Sequence, residues 1–420
     1  MTHKPAKLAA TSAAVMLAVS PAVFGDDEPL VIGTMATLEG AFASAGEDGM
    51  RGFEMALAEY DYEIGGREIE VITESTDTTP ESAVNAAQKL VSVDDADILL
   101  GPLSGSEGIA VRDYSRNVDG VTFINGASAA QETTLRNPSE NFFRFSTDGA
   151  QWMAGLGTYV VEERGWDNVA TVAEDYSYPY SQVAGFLYEY CDAGGDVAER
   201  FWMPIGTSDY SSIVYSIPPD VDAVFVALTG ADAVDFLQQY RDAGGEAPII
   251  GGTNTVDGTV LSAEGGQRDH LVGTPSAAPI PGDWDDADWT AWVDRYHEMF
   301  GDDALDEPSV FAHAYYTNAR AMMAALDEID GDIDDDHANF QQALADLEVD
   351  TPTGPVGLDE NRAAIANMFL REVRQDDDGN LYNANIGVTE NVSQTLGLPR
   401  DEFLALEEPS RNHPQCSEIR

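Results

Sequence analysis

Short β-rich runs alternate with helical stretches along this chain, and the alternation starts afresh part-way. Leu30-Val31-Ile32-Gly33-Thr34 reads as a strand, and the stretch after it places Met50, Phe53, Leu57 and Tyr60 at i, i+3, i+7 and i+10, one face of a helix. A strand at 69–73, a helix from Pro80 to Val93, a strand at 97–100, a helix over about 106–117 and a strand at 121–124 follow. Apolar strands separated by helices need cover on both faces, so the sheet they build is parallel. The order restarts near Gln151 with a helix to Arg164, then strand 169–173, helix 180–193, strands 200–203 and 223–228, helix 231–243 and strand 248–251. A mostly helical segment over 284–347 carries Trp289, Trp292, Tyr296 and Met299 on one face, and a long Ala/Met-rich helix lies around 309–328. Strands return from Val356 to Val388, with Asp378-Gly379-Asn380 as the turn between 368–373 and 381–386. The expected fold class is α/β, with two doubly wound parallel-sheet lobes, and 420 residues is a two-domain length.

Charge narrows the partners. With 75 Asp and Glu against 21 Lys and Arg, the formal net charge is −54. That excludes nucleic acid and anionic membrane surfaces, because phosphate recognition needs a basic footprint. Lys4, Lys7 and Lys89 are the only lysines. The apolar blocks recur too regularly for a disordered polyanion, so the acid forms a solvated shell around ordinary cores, as in proteins exposed to high salt.

Residues 1–25 differ from the rest: Lys4 and Lys7, an apolar run from Leu8 to Phe24, and no acid before Asp26. This is the layout of a secretory signal peptide, with Val23 and Gly25 suited to cleavage ahead of Asp26. The expected product is exported, periplasmic, soluble and without direct membrane insertion. No cysteine near the cleavage point is available for a lipid anchor. Its only two cysteines, Cys191 and Cys416, are able to pair in an oxidising compartment; the alternative is a thiol packed in a helix and another on a loose tail.

No phosphate loop, His-Glu-x-x-His, Cys-x-x-Cys or nucleophile elbow occurs, so neither an enzyme, a cofactor nor a metal is expected. The aspartates of 332–336 read as a solvated loop, and Asp376–Asn380 as a hairpin turn, not calcium sites. Open parallel sheets bind ligands at the carboxyl ends of their strands. There the first half places three loops rich in small residues: 36–42, Gly101-Pro102-Leu103-Ser104-Gly105-Ser106 and Asn125-Gly126-Ala127-Ser128-Ala129. Such loops bring backbone N–H groups near a guest, helix N-termini favour a carboxylate, and Ser104, Ser106 and Ser128 add hydroxyls. The same serines also suit ordinary N-caps.

The ordered set Val31-Ile32-Gly33, Gly40, Gly46, Gly49, Gly52, Ile64-Gly65-Gly66-Arg67, Leu100-Gly101-Pro102-Leu103-Ser104, Asn125-Gly126-Ala127-Ser128, Ala173-Glu174-Asp175-Tyr176-Ser177-Tyr178-Pro179-Tyr180 and Tyr315-Tyr316 resembles the type I extracytoplasmic solute-binding proteins of ABC transporters, leucine/isoleucine/valine group. The resemblance implies lobes of 26–148 plus 277–350 and 149–276 plus 351–420, joined by a three-crossing hinge. It implies a monomer that binds a small carboxylate ligand and docks on membrane permease subunits; the alternative is a ligand-sensing subunit of a signalling system. It carries the ligand carboxylate to Ser104, Ser106, Ala127 and Ser128, an aromatic wall to Phe42, and closing contacts to Tyr180 and to the loops after Leu228 and Ile250, at Thr229 and Thr253. Amino-acid binders of this group place an acid where this chain reads Gly252-Thr253-Asn254. A buried ammonium needs a counter-charge, so the ligand expected here is a carboxylate without an amine, aromatic acids included, unless Asp232 or Asp257 supplies the charge.

Overall fold

The computed structural model describes residues 28–263 and 269–419; the expected signal peptide at 1–25 lies outside the described residues. Two sheets organise the chain. In the first, Leu30–Thr37 runs parallel to Arg67–Thr76 on one side and to Ile98–Leu100 on the other, and Thr122–Ile124 and Phe142–Phe143 extend it. Glu63–Ile64 folds back antiparallel on the edge. In the second, Asn168–Glu174 lies between Asp196–Met203 and Ala223–Ala227, followed by Ile249–Gly251 and Pro275–Ala278, all parallel. The two sheets therefore share one strand order, second-first-third-fourth-fifth, which is the structural form of the restart seen in the sequence. In each, the order reverses beside the first strand, the place where open α/β sheets leave a crevice.

The late strands join the second sheet. Ala364–Gln375 pairs antiparallel with Pro275–Ala278 and with Leu381–Val392, while Val349–Thr351 and Gly354–Leu358 extend its edge. The turn between the two long strands is held by Asp376, whose carboxylate accepts the backbone N–H of Asp378 and of Asn380. The late helices go the other way. Ala43–Ala58 packs lengthwise on Val310–Glu328, and Ala287–Phe300 buries Trp289, Trp292 and Tyr296 as its periodicity predicts. Close approach of the first pair depends on Gly52, where a Cβ would lie 1.9 Å from the carbonyl oxygen of Ala312.

Several local features depart from the sequence pattern. The expected helix from Gln151 to Arg164 is a single 3-10 turn, Gln151–Met153, and then Leu156–Glu162, because Gly155 adopts φ +86° and gives its N–H to the Glu189 carboxylate. Pro275–Ala278 is a buried central strand that the pattern missed, since Pro-Ser-Ala-Ala has no β-branched residue to announce it. Asp196–Met203 begins four residues before the expected strand; its exposed, partly polar alternation hid the first half.

Cys191 and Cys416 form a disulfide (S–S 2.01 Å) that ties the helix Ser177–Asp192 to the C-terminal turn Cys416–Ile419. Among the described residues no helix is long and apolar enough to cross a membrane, and no group of three or more His, Cys, Asp or Glu is placed to hold a metal.

Candidate functional site

Loops at the carboxyl ends of the two sheets meet face to face. Ser106 Oγ lies 3.1 Å from Ser177 Oγ. A Cβ on Gly105 would stand 2.8 Å from Tyr178 Cβ and 3.0 Å from Ala130 Cβ, and one on Gly230 would stand 2.5 Å from the Ala41 carbonyl oxygen. The Phe42 ring, fully buried, is 6.3 Å from that of Tyr176, which is 6.1 Å from Tyr178; Tyr178 in turn meets Trp152 edge-on at 5.4 Å. Glycines at these points let the backbones close on one another, and an aromatic row lines the seam.

On the first-lobe side, the nominated serines divide. Ser104 is the N-cap of Gly105–Ser115 in a reciprocal capping box with Glu107, and its hydroxyl also donates to the Thr78 carbonyl at 3.2 Å. The capping reading therefore accounts for Ser104 completely. The backbone N–H groups of Ala127 and Ser128 both go to the Pro102 carbonyl, at 3.1 and 3.2 Å, so they shape the loop. Ser128 Oγ is buried and makes no hydrogen bond; it lies beneath Gly108, whose Cβ would fall 1.8 Å away. Ser106, on the first turn of Gly105–Ser115, is the nominated serine whose hydroxyl reaches the opposite lobe.

On the second-lobe side, the structure brings Tyr176 to Phe42 and Tyr178 beside Tyr176, and turns Tyr180 away. The Tyr180 hydroxyl donates to Asp175, which Arg411 also binds, and its ring packs on Trp202 at 4.9 Å. Local geometry explains the difference: Tyr178 and Tyr180 are two residues apart on the helix Ser177–Asp192, a rotation of about 200°, and Tyr176 is the extended residue before it. Tyr180→Phe is accordingly expected to leave solute affinity within about twofold of wild type by calorimetry. A tenfold loss would return Tyr180 to the site.

Behind the tyrosines sits a polar cluster that joins the nominated Thr229 and Thr253 to Glu174 and Gln182, which the sequence reading did not nominate. Glu174, the last residue of its strand, is fully buried. It accepts the Thr229 N–H at 2.8 Å and the Thr229 hydroxyl at 3.3 Å. Asn254 Nδ2 donates to Thr229 Oγ1 at 3.2 Å, which leaves the buried Asn254 Oδ1 without a donor. Thr253 gives its hydroxyl to the Ala277 carbonyl at 2.6 Å. Gln182, also buried, has an unpartnered carboxamide; a Cβ on Gly252 would lie 2.4 Å from its Oε1. Burial, and then the neighbouring Asp232, push the Glu174 carboxyl well above the usual carboxylate range. Burial likewise lifts Tyr178 and, to about 6, Asp232. Neither alternative acid is free for a ligand: Asp232 accepts the Gly206 N–H, and Asp257 accepts Thr259 and Val310 N–H groups at the starts of two helices.

The sequence matches the periplasmic binding protein family model over residues 29–380. The chain belongs to that family. This periplasmic binding protein is 26% identical over 386 residues to a Leu/Ile/Val-binding protein homolog from Brucella melitensis biotype 1, an alignment covering 90% of this chain and 96% of the relative. Among solved structures, it is similar to an ABC transporter substrate-binding protein from Sphaerobacter thermophilus, with 27% identity, a TM-score of 0.77 and coverage of 86% and 98%. The solute-binding protein of an ABC transporter from Rhodopseudomonas palustris BisB5, solved with 3,4-dihydroxybenzoic acid, shares the fold with a TM-score of 0.79 at 23% identity over 88% and 99% of the two chains. The family and the fold are those of substrate-binding proteins.

Proposed function

We propose that this periplasmic binding protein is the exported, monomeric solute-binding subunit of an ABC importer, and that it closes on a small carboxylate-bearing solute between its lobes before docking on the permease subunits. The observation that carries the reading is the pairing of Ser106 with Ser177 and of Phe42 with Tyr176 across the carboxyl ends of two sheets with one strand order. Ser106 and the first turn of Gly105–Ser115 suit the carboxylate: the positive end of a helix and a half-buried hydroxyl favour an anion there. The aromatic row gives a flat apolar wall. Relatives whose names specify Leu/Ile/Val binding, and fold neighbours holding hydroxybenzoates, support a solute of this size and charge.

The lobes we assign are 26–148 plus 279–350 and 149–278 plus 351–420: the second crossing moves from 276/277 to just after Ala278, since Pro275–Ala278 runs wholly within the second sheet. Closure is a hinge motion about those three crossings. A thermal-shift screen of amino acids and of aromatic and aliphatic acids identifies a ligand, and small-angle scattering with and without it tests closure. The radius of gyration should fall on saturation; unchanged dimensions would count against the clamp.

A further inference from the structure

The chain after Val392 touches both lobes, beside the seam where they meet. On the first-lobe side it is held at 131–136: Gln131 Nε2 donates to the Gln394 carbonyl at 3.1 Å, Arg400 Nη2 to the Leu135 carbonyl at 2.9 Å, and Arg136 Nη2 to the Leu406 carbonyl at 2.9 Å. Gln131 also gives its backbone N–H to Ser181 Oγ, 2.9 Å away on the second-lobe helix Ser177–Asp192, so the segment runs next to a direct contact between the lobes. On the second-lobe side it follows that same helix. Phe403, buried, meets the Tyr188 ring edge-on at 5.5 Å. Arg411 pairs with Asp175, just ahead of the Tyr176 that meets Phe42, and Cys416 is bonded to Cys191 near the far end of the helix. The helix that brings Ser177 to Ser106 is thus fastened at both ends by one short stretch of chain. These fastenings are unequal. The Arg411 side chain is 62% exposed, and an ion pair so exposed is weak on its own. The disulfide keeps the end of the segment in place, so that the pair and the hydrogen bonds upstream form within one molecule at high effective concentration.

We propose that residues 394–416 are an interlobe strap, fastened by the Cys191–Cys416 disulfide, that favours the arrangement in which the two lobes meet over one in which they part. A segment shifts such an equilibrium only through contacts that differ between the two states. The contacts of the strap with 131–136 and with Ser177–Asp192 are kept together only while those two elements stay side by side. Among the described residues the strap makes no hydrogen bond or ring contact with the Ser106 or Phe42 loops, so it acts on solute affinity through the setting of the lobes. The proposal rests on the lobe assignment above, and not on which solute enters the cleft.

The test compares three variants of the whole mature protein with wild type, first without added solute. Cys191→Ser with Cys416→Ser frees the second-lobe end of the strap, Arg136→Gln with Arg400→Gln loosens the first-lobe end, and the third variant carries all four changes. Hydrogen–deuterium exchange reads the seam at 36–43 and 228–232, where Gly230 packs on Ala41 and where, among the described residues, no hydrogen bond runs to the strap. Each pair of changes should speed exchange there at least about threefold, and the four together little more than either pair, because a strap cut at one end no longer couples the lobes. In calorimetry, the affinity for whichever of leucine and 3,4-dihydroxybenzoate the wild type binds should fall by a similar factor, since a smaller competent fraction raises the apparent Kd in proportion. Faster exchange confined to 394–419 and 177–192, with the seam unchanged, would overturn the proposal and leave the tail a clamp on one lobe. A seam that responds to one pair alone, or to the two pairs additively, would overturn it too, because a strap needs both ends. If neither compound binds, the exchange comparison, which needs no solute, decides alone. Should the serine protein fail to fold, the arginine pair against wild type decides.

Discussion

Raising the ionic strength from about 0.01 M to about 1 M is expected to lift the melting temperature by at least about 10 °C, because the screening length drops from about 30 Å to about 3 Å. The surplus of acid is 54 charges over the whole sequence, and loss of Lys4 and Lys7 with the signal segment would raise it to 56. Relieving repulsion on the order of 0.1 kcal/mol per surplus carboxylate amounts to about 5 kcal/mol, and for lobes of this size each kcal/mol moves the midpoint by about 2–4 °C. Local cation pairing does not remove the surplus. Lys89, the one lysine among the described residues, already serves both Glu74 and Asp94. Differential scanning calorimetry across a salt series checks this. A flat curve would remove the reading of a salt-adapted surface and leave a merely acidic protein.

Gly52→Ala is expected to destabilise the protein by at least about 3 kcal/mol, at the upper end of overpacking costs. The added methyl would sit 1.9 Å from a main-chain oxygen, that of Ala312, so no side-chain rotamer can relieve the clash and the helices Ala43–Ala58 and Val310–Glu328 must separate. Two neighbours are constrained as well, Gly46 by backbone and Gly49 less severely by a side chain. A Cβ at Gly46 would meet the Thr37 carbonyl oxygen at 1.8 Å, and one at Gly49 would meet the Tyr315 ring at 2.8 Å. The ordinary helix preference for Ala over Gly, about 1 kcal/mol, is therefore outweighed. Gly357→Ala is the control. No atom lies within 4 Å of its Cβ position and its φ is not positive, so that substitution should be neutral or stabilise by up to about 1 kcal/mol. Chemical denaturation of both variants provides the measurement. A Gly52→Ala midpoint equal to wild type would show that the two helices are less closely engaged than the structure has them.

Much of the architecture was legible because it repeats locally. Apolar runs of strand length between amphipathic helices announce a parallel sheet wherever they occur, and the second copy of the pattern announced the second sheet. The Trp289, Trp292 and Tyr296 face was readable from its spacing alone. What escaped was short or compositionally plain: Pro275–Ala278 and Phe142–Phe143 carry too few residues to express a period. At the candidate site, composition named loops that the fold brings together but not the atoms that meet there. Ser104 looked like a ligand donor and is a cap. Tyr180 looked like the closing tyrosine, while Tyr176, four positions before it, meets Phe42, and Tyr178, two before it, lies beside Tyr176. Glu174 lay unmarked among 75 acids, because one carboxylate is distinguished from another only by what surrounds it.

By itself, then, the sequence determined the fold class, the family and the excess of acid, since each follows from hydrophobic period, charge count or an ordered set of motifs. The tertiary structure alone decided which side chains meet. Ser106 and Ser177 are 71 residues apart, and Glu174 acquires Thr229 from 55 residues away. Those encounters depend on how one lobe is set against the other and on how deeply each group is buried. Local propensity carries no information about either, because the free energy of a buried charge is fixed by neighbours that arrive from elsewhere in the chain.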